Sequence, residues 1–190
     1  ASRSKDKDGT GVDSMKIDVA YGRDLDDSML EQLQFMEADA CAQYASLDAK
    51  PNEIIIGTIP SETLRQFKKR TANTMFLMKT KKTTSRKTML IGMACISKRG
   101  RTSDMYLHTV FVRALHRRKG IGTALVKKAL SIAKHGSYGL LLTVNPLNRS
   151  AMHLYESLGF SICKDQSLTM ESTANKKKSK KEGCTRCAAN

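Results

Sequence analysis

Apolar residues along the chain recur with two periods, and the change from one period to the other marks out the elements. Alternation over residues 16–20 predicts a short first strand. Apolar positions at helical spacing predict a helix over 29–44. Ser61, in a Pro-Ser-Glu sequence, is predicted to cap a short second helix. The chain therefore begins as strand, helix, helix.

The middle of the chain predicts an antiparallel hairpin and then a buried strand. Residues 74–79 and 88–97 are apolar, β-prone runs separated by Thr, Lys and Ser, which is typical of a hairpin with a basic loop. Residues 104–113 are apolar on both sides, which predicts a central strand. Simple alternation divides this strand into two faces: Tyr106, His108, Val110 and Val112 on one, Leu107, Thr109 and Phe111 on the other.

The remaining elements predict helix, strand, helix and strand. Residues 120–135 form an amphipathic helix closed by Gly136, 138–144 form a strand, and 148–158 form a helix closed by Gly159. This order predicts one domain of the α/β (α+β) class over residues 15–171. Residues 1–14 and the basic segment 172–190 lack an apolar period and are expected to be flexible tails.

Composition narrows the class of protein. The chain has 190 residues with 40% hydrophobic content, which suits one domain, and no apolar run approaches the ~20 residues that cross a bilayer. The beginning is polar and unlike a signal peptide. An odd number of cysteines favours reduced thiols and hence a cytoplasmic location, with nuclear import as an alternative. The five are Cys41, Cys95, Cys163, Cys184 and Cys187.

The formal net charge of +15 is unevenly distributed. Residues 175–190 carry six Lys or Arg against one Glu. Two further basic clusters lie at 79–87 and 113–119. Solubility and phosphate binding explain such clusters, and an acidic partner such as nucleic acid or the ribosome is the alternative.

The segment 117–123 carries the clearest chemical signal, because it opens a helix directly after the central strand. Backbone amides at a helix N-terminus are unpaired and partly positive, so they bind anions such as a diphosphate. Gly120 and Gly122 let phosphate oxygens approach these amides. A third glycine is missing at Leu125, which disfavours a dinucleotide fingerprint, and no Gly-Lys-Ser/Thr sequence indicates a nucleotide triphosphatase.

Two sequence segments together resemble the GNAT superfamily of N-acetyltransferases. Arg-Arg-Lys-Gly-Ile-Gly at 117–122 matches the family's Gln/Arg-x-x-Gly-x-Gly/Ala motif for acyl-CoA. Residues 148–160 are similar to its later Asn-x-x-Ala-x-x-Leu-Tyr-x-x-x-Gly-Phe segment. The resemblance covers about 15–170. It implies a mixed, mostly antiparallel sheet of six or seven strands with flanking helices, splayed between the fourth and fifth strands.

The resemblance also implies transfer of an acetyl group from acetyl-CoA to a primary amine by direct attack in a ternary complex. Tyr155 is then expected near the sulfur as a general acid, and His108 or Tyr106 as the base, with a water chain as an alternative. Backbone groups of the fourth strand are expected to pair with the pantetheine arm. The residues expected to bind acetyl-CoA are Val110, Phe111, Val112, Arg117, Arg118, Lys119, Gly120, Ile121, Gly122, Thr123, Asn148 and Tyr155.

Each of these residues also has a purely structural explanation. The glycines suit a tight turn, Tyr155 a core aromatic, Asn148 a helix N-cap and His108 an ordinary sheet residue. The lone Cys-x-x-Cys at 184–187 lacks further ligands, so no metal is expected. The last four residues superficially fit a lipidation box with an atypical final Asn.

The sequence leaves the acceptor open: a lysine side chain, a small amine or a protein N-terminus. Thr-Val-Asn-Pro at 143–146 stands where N-terminal acetyltransferases of the family often carry a histidine, which slightly favours the first two acceptors. The competing hypothesis is a non-catalytic module that binds CoA, nucleic acid or the ribosome through its basic loops and tail. The oligomeric state is undetermined.

Overall fold

The computed structural model describes residues 15–48, 63–85, 87–98, 104–162 and 169–172, which build a mixed sheet flanked by helices. Its described strands are β1 (Asp18–Tyr21), β2 (Met75–Lys82), β3 (Thr88–Lys98), β4 (Asp104–Val112), β5 (Gly139–Thr143), β6 (Phe160–Ile162) and β7 (Thr169–Ser172). Its described helices are α1 (Asp27–Asp48), α2 (Leu64–Thr71), α3 (Ile121–His135) and α4 (Arg149–Ser157). None of the described helices is long and apolar enough to cross a membrane.

The seven described strands lie in the order β1-β2-β3-β4-β5-β7-β6. Only the β4–β5 pair among them is parallel. This arrangement confirms the predicted fold class and the central position of β4. The predicted tails at 1–14 and 172–190 lie outside the described residues, except for Ser172, which is the last residue of β7.

Helices cover both faces of the sheet, because each is apolar along one side. Helices α3 and α4 pack into one apolar cluster and α1 and α2 into another, so the sheet is buried on both sides. The first cluster takes Leu77, Ile91, Ala94, Ile96, Met105, Leu107, Leu140, Leu142 and Phe160 from the strands. The second takes Phe76, Met78, Leu90, Met93 and Cys95.

The parallel strands β4 and β5 separate part-way along β4. Their pairing runs from Asp104 opposite Gly139 to Leu107 opposite Leu142 and then stops. Strand β4 continues to Val112, and among the described strands this part of it is paired with β3 alone. The backbone of residues 108–112 therefore borders a gap on its β5 side, as expected for a splayed sheet.

A β-bulge in β4 corrects the predicted division of its faces. Ala94 of β3 lies opposite Val110, but Ile96 lies opposite Leu107, so β4 contains one extra residue between them. Val110 consequently packs with Leu107 against the α3/α4 cluster, whereas Phe111 packs against the α1/α2 cluster. Strict alternation was the wrong assumption, because one inserted residue reverses every side chain beyond it.

The start of α2 and the strand β7 also differ from the sequence predictions. The N-cap of α2 is Thr63: its hydroxyl accepts a bond from the Gln66 amide at 3.3 Å, and its own amide donates to Gln66 Oε1 at 2.8 Å. This reciprocal capping box makes the predicted cap at Ser61, which lies outside the described residues, wrong. Strand β7 inserts antiparallel between β5 and β6, where the sequence pattern indicated no separate strand.

Candidate functional site

The loop between β4 and α3 is hydrogen-bonded to β3 at its beginning and has left-handed backbone conformations near its end. The Arg113 amide donates to the Ile91 carbonyl at 3.0 Å, and Arg113 Nε donates to the Leu90 carbonyl at 2.8 Å. A 3-10 turn over Ala114–His116 follows. Arg118 (φ 60°) and Gly120 (φ 75°) then reverse the chain into the helix. The left-handed φ explains the glycine at 120, since other residues adopt it at a cost.

The first turn of α3 presents a row of backbone N–H groups. The first helical bond runs from the Ala124 amide to the Gly120 carbonyl at 2.9 Å. In the described part of the chain, no carbonyl accepts a bond from the amides of 118–123. This concentration of unpaired donors at a helix N-terminus favours an anion.

The space above these amides is open. A Cβ placed on Gly120 would meet no atom within 4 Å, and one on Gly122 would meet only Leu154 Cδ2 at 3.5 Å. Packing within the protein therefore does not require a glycine at 122, which lies in a regular helix. Glycine at 122 instead leaves the surface in front of these amides without a side chain. A phosphate can therefore approach the amides closely.

The basic side chains of the loop behave differently from one another. Arg117 turns back onto the protein: Nε donates to the Val112 carbonyl at 2.9 Å, and Nη2 donates to Gln43 Oε1 at 2.8 Å. Its guanidinium carbon lies 5.6 Å from the centroid of the Phe111 ring. Arg117, Arg118 and Lys119 are all exposed. Lys119 Nζ donates to the Leu115 carbonyl at 3.2 Å.

A polar cluster lies on the α1/α2 face where β4 and β5 part. The hydroxyl of Tyr106 is hydrogen-bonded to Thr143 Oγ1, which joins β4 to the last residue of β5. His108 Nε2 is hydrogen-bonded to Ser97 Oγ on β3. The Tyr106 and His108 rings meet edge to face with centroids 4.8 Å apart. Sequence reasoning missed Ser97 and Thr143, because only the strand register shows which residues lie beside the two predicted ones.

His108 is neutral in this environment near pH 7. Desolvation by the surrounding residues lowers its pKa below the ordinary value, although the residue as a whole is exposed, and the Glu37 carboxylate opposes this effect only partly. A neutral imidazole can accept a proton. The structure thus places a group that can accept a proton at the edge of the gap.

Tyr155 lies on α4 and belongs to the opposite face of the sheet from Tyr106 and His108. Its side chain is 8% exposed, its ring contacts the Phe160 ring at 5.7 Å, and burial raises its pKa to about 12. Within the described residues, every fully buried side-chain N or O atom has a hydrogen-bond partner, yet no partner is found for the Tyr155 hydroxyl. That hydroxyl is therefore largely desolvated, as its raised pKa indicates, but it is not completely enclosed by the described residues.

Two asparagines shape the turn between β5 and α4. Asn148 caps α4, because its Oδ1 accepts a bond from the Ala151 amide at 3.1 Å. Asn145, 7% exposed, accepts a bond from the Leu147 amide at 2.8 Å and fixes the preceding turn. Capping is thus a structural role of Asn148, and its contact with a ligand stays a prediction.

Among the described residues, no cluster of three or more His, Cys, Asp or Glu is placed to hold a metal ion.

Comparison with known sequences identifies relatives that share parts of this chain. Streptothricin acetyltransferase of Streptomyces lavendulae is 32% identical over 87 residues, which are 45% of this chain and 46% of the relative. N-alpha-acetyltransferase 30 of Xenopus laevis is 45% identical over 56 residues, 29% of this chain and 20% of the relative. The chain thus matches less than half the length of these curated relatives.

Solved structures and family models extend the comparison to the fold and the family. The PaiA N-acetyltransferase of Thermoplasma acidophilum, solved in complex with coenzyme A, has a TM-score of 0.61 and 19% identity, covering 83% of this chain and 99% of that chain. This likeness shows the fold. The model of the acetyltransferase (GNAT) family matches residues 33–160, more than half of the chain. The protein therefore belongs to the GNAT acetyltransferase family.

Proposed function

We propose that the protein transfers an acetyl group from acetyl-CoA to a primary amine. The row of unpaired amides at 118–123, at the carboxyl end of β4 and beside the splay, is the observation that carries this proposal. The family membership and the relatives named acetyltransferases support it. So does a structural neighbour solved with coenzyme A.

The residues present fit the phosphates and the arm of acetyl-CoA. The amides from Arg118 to Thr123, including those of Lys119, Gly120, Ile121 and Gly122, would hold the diphosphate, with the exposed Arg118 and Lys119 side chains beside them. Val110, Phe111 and Val112 carry β4 backbone that has no β5 partner, and this edge would pair with the pantetheine. Asn148 caps the next helix and would border the same arm. Bound acetyl-CoA supplies an activated thioester.

Tyr155 is proposed to donate a proton to the departing sulfur. A phenol with a pKa of about 12 stays protonated at neutral pH, so its hydroxyl can hydrogen-bond to the departing sulfur, but it is a weaker acid than the thiol that forms. A thiolate is a good leaving group, because thiols ionise at about pH 8.5. The assistance expected from Tyr155 is therefore moderate.

His108 and Tyr106 are proposed to serve the acceptor amine from the α1/α2 face. The lowered pKa keeps His108 neutral and able to take a proton, directly or through water. Tyr106 contacts the His108 ring and bonds to Thr143, so it holds both strands at the gap. The acceptor class itself stays a proposal: a lysine side chain, a small amine or a protein N-terminus.

A thiol-release assay with acetyl-CoA and a panel of small amines, lysine peptides and N-terminal peptides tests the proposal. Gly122→Trp is expected to abolish turnover and coenzyme A binding, because the indole would fill the open cradle. Lys128→Trp, on the exposed side of the same helix, is the matched control and is expected to retain both. Coenzyme A binding without turnover on any acceptor would support the alternative of a non-catalytic module.

The remaining aspects of function stay predictions. An acidic partner such as nucleic acid or the ribosome was expected from the basic segment at 176–181, which lies outside the described residues. The cytoplasmic or nuclear location depends on the cysteine content and on that segment. Mass spectrometry of products from the amine panel would identify the acceptor class first.

A further inference from the structure

We propose that Arg117 is a positioning residue that fixes helix α1 against the end of β4 and thereby sets the affinity for the acceptor, not the affinity for coenzyme A. Arg117 stands first in the glycine-containing motif, where a phosphate ligand was expected. The inference rests on the proposed function, since it concerns the division of labour within that site.

The contacts of Arg117 join its own loop to two elements of the fold, β4 and α1. One nitrogen bonds to the Val112 carbonyl at the end of β4, and another bonds to Gln43 near the end of α1. The guanidinium covers the Phe111 ring. A planar group with donors on two sides, stacked on an aromatic ring, is well suited to such a fixed bridge, and lysine cannot reproduce it.

The expected anion site does not need the Arg117 side chain. Its donors are the backbone amides of 118–123, and the exposed Arg118 and Lys119 supply positive charge next to them. None of the ion pairs found among the described residues involves Arg118 or Lys119. Loss of Arg117 would therefore leave the charge and the amides for a diphosphate largely in place.

Helix α1 borders the face on which an acceptor would meet His108. Glu37 of this helix pairs with Arg70 of α2, with Oε2 and Nη2 2.8 Å apart, and the same carboxylate raises the pKa of His108 against the larger effect of desolvation. Arg117 holds α1 at Gln43, a little over one and a half helical turns beyond Glu37. Releasing that contact would let the helix move relative to His108.

The test compares Arg117→Met, Gln43→Leu and the double variant, with Arg118→Met as the contrast. Both single variants are expected to raise the acceptor KM about tenfold, the effect of losing a hydrogen bond to a charged group. Coenzyme A affinity by calorimetry is expected to change less than about threefold on the same scale. The double variant is expected to have the same acceptor KM as Arg117→Met, because both single changes remove the same Arg117–Gln43 contact. Arg118→Met is expected to weaken coenzyme A binding and to leave the acceptor KM unchanged.

The opposite result would overturn the inference: Arg117→Met weakens coenzyme A binding and leaves the acceptor KM unaltered. Additive effects of the two single changes would overturn it as well. If Arg117→Met does not fold, Gln43→Leu removes the same bond from the other side. If the wild type binds no coenzyme A, the proposed function fails, and hydrogen exchange decides this inference separately. Reduced protection of α1 amides in both variants supports it, and unchanged protection excludes it.

Discussion

At the scale of single residues, Tyr155 combines a ring that belongs to the core with a hydroxyl that has no hydrogen-bond partner among the described residues. Removing the hydroxyl and keeping the ring therefore separates its two roles. The core contact with Phe160 stays, so stability should change by less than about 1 kcal/mol. Any larger effect must be on chemistry.

Tyr155→Phe is expected to lower kcat by about tenfold to a hundredfold, at the low end for general acids, because the leaving thiolate needs little help. The deficit should be constant between about pH 6 and 9, since the pKa of Tyr155 is raised to about 12 and its proton stays bound throughout. Initial rates of thiol release across this range provide the measurement. An unchanged kcat would leave Tyr155 as a core residue alone.

His108 makes stability depend on pH in a defined direction. Its folded-state pKa is lowered by desolvation, so the unfolded chain, with a histidine pKa of about 6.5, takes up a proton first as the pH falls. Its contribution is complete above about pH 6.5 and is lost as the pH falls below that value. Wild-type protein should therefore lose more unfolding free energy on acidification than His108→Gln, which keeps a partner for Ser97.

Urea unfolding at neutral pH and at about pH 5 measures this difference. The exposed His153 of α4 provides the matched control, His153→Gln. Equal acid sensitivity of wild type and His108→Gln would show that desolvation of this imidazole has no consequence for folding.

At the scale of the elements, α2 begins with a capping box that can be removed on its own. Thr63→Ala deletes the hydroxyl that accepts a hydrogen bond from the Gln66 amide. It is expected to lower the free energy of unfolding by about 1 kcal/mol. Gln66→Ala removes the reciprocal bond and should give a similar loss. Urea midpoints decide the matter, with the exposed turn residue Thr84→Ala as the control. Equal midpoints in all variants would mean that the start of α2 is frayed.

The order and type of most elements could be predicted from the sequence, because each has a local cause. Helix α3 begins after Gly120 and ends at Gly136, and β4 is apolar on both sides because it lies at the centre of the sheet. The turn formed by the glycine-containing segment at 117–122 could be predicted for the same reason. Its interpretation as an anion site requires a strand before it and a helix after it, and the local sequence indicates both.

What the sequence could not predict depends on register. The bulge in β4 moves Val110 to the face of Leu107, and nothing in the alternation shows it. The partners of Tyr106 and His108, Thr143 and Ser97, come from neighbouring strands and become evident only when the strands are aligned. The cap of α2 was misplaced because Ser and Thr both suit a cap, and only the Gln three residues later distinguishes them.

At the scale of the whole molecule, opposite charges occupy different parts of the chain. Residues 15–48 contain eight Asp or Glu and two Lys or Arg, whereas residues 63–162 contain two Asp or Glu and twenty Lys or Arg. Around the loop before α3 the positive charge is concentrated. There, partial desolvation and then Lys119, Lys81 and Arg113 lower the pKa of His116. A field of this sign attracts an anionic substrate over a distance of about a Debye length.

Coenzyme A affinity is therefore expected to fall as ionic strength rises from about 0.05 to about 0.5 M, over which the Debye length shortens severalfold. Lys119→Gln should flatten this dependence, because it removes a charge beside the unpaired amides. Lys134→Gln, in the last turn of α3, should leave the slope as in the wild type. Titrations at several salt concentrations give the slopes. A slope that is equal in all three proteins would exclude electrostatic attraction by this loop.

The early end of the β4–β5 pairing has a consequence for handling the protein. Beyond Leu107, β4 carries backbone groups that have no neighbouring strand on one side among the strands the structure describes, and such an edge is a template for an incoming strand. In the absence of ligand, an extended segment of a second molecule can pair with this edge and begin an aggregate. We expect concentrated solutions to scatter light sooner without coenzyme A than with it, because an occupied groove leaves no template.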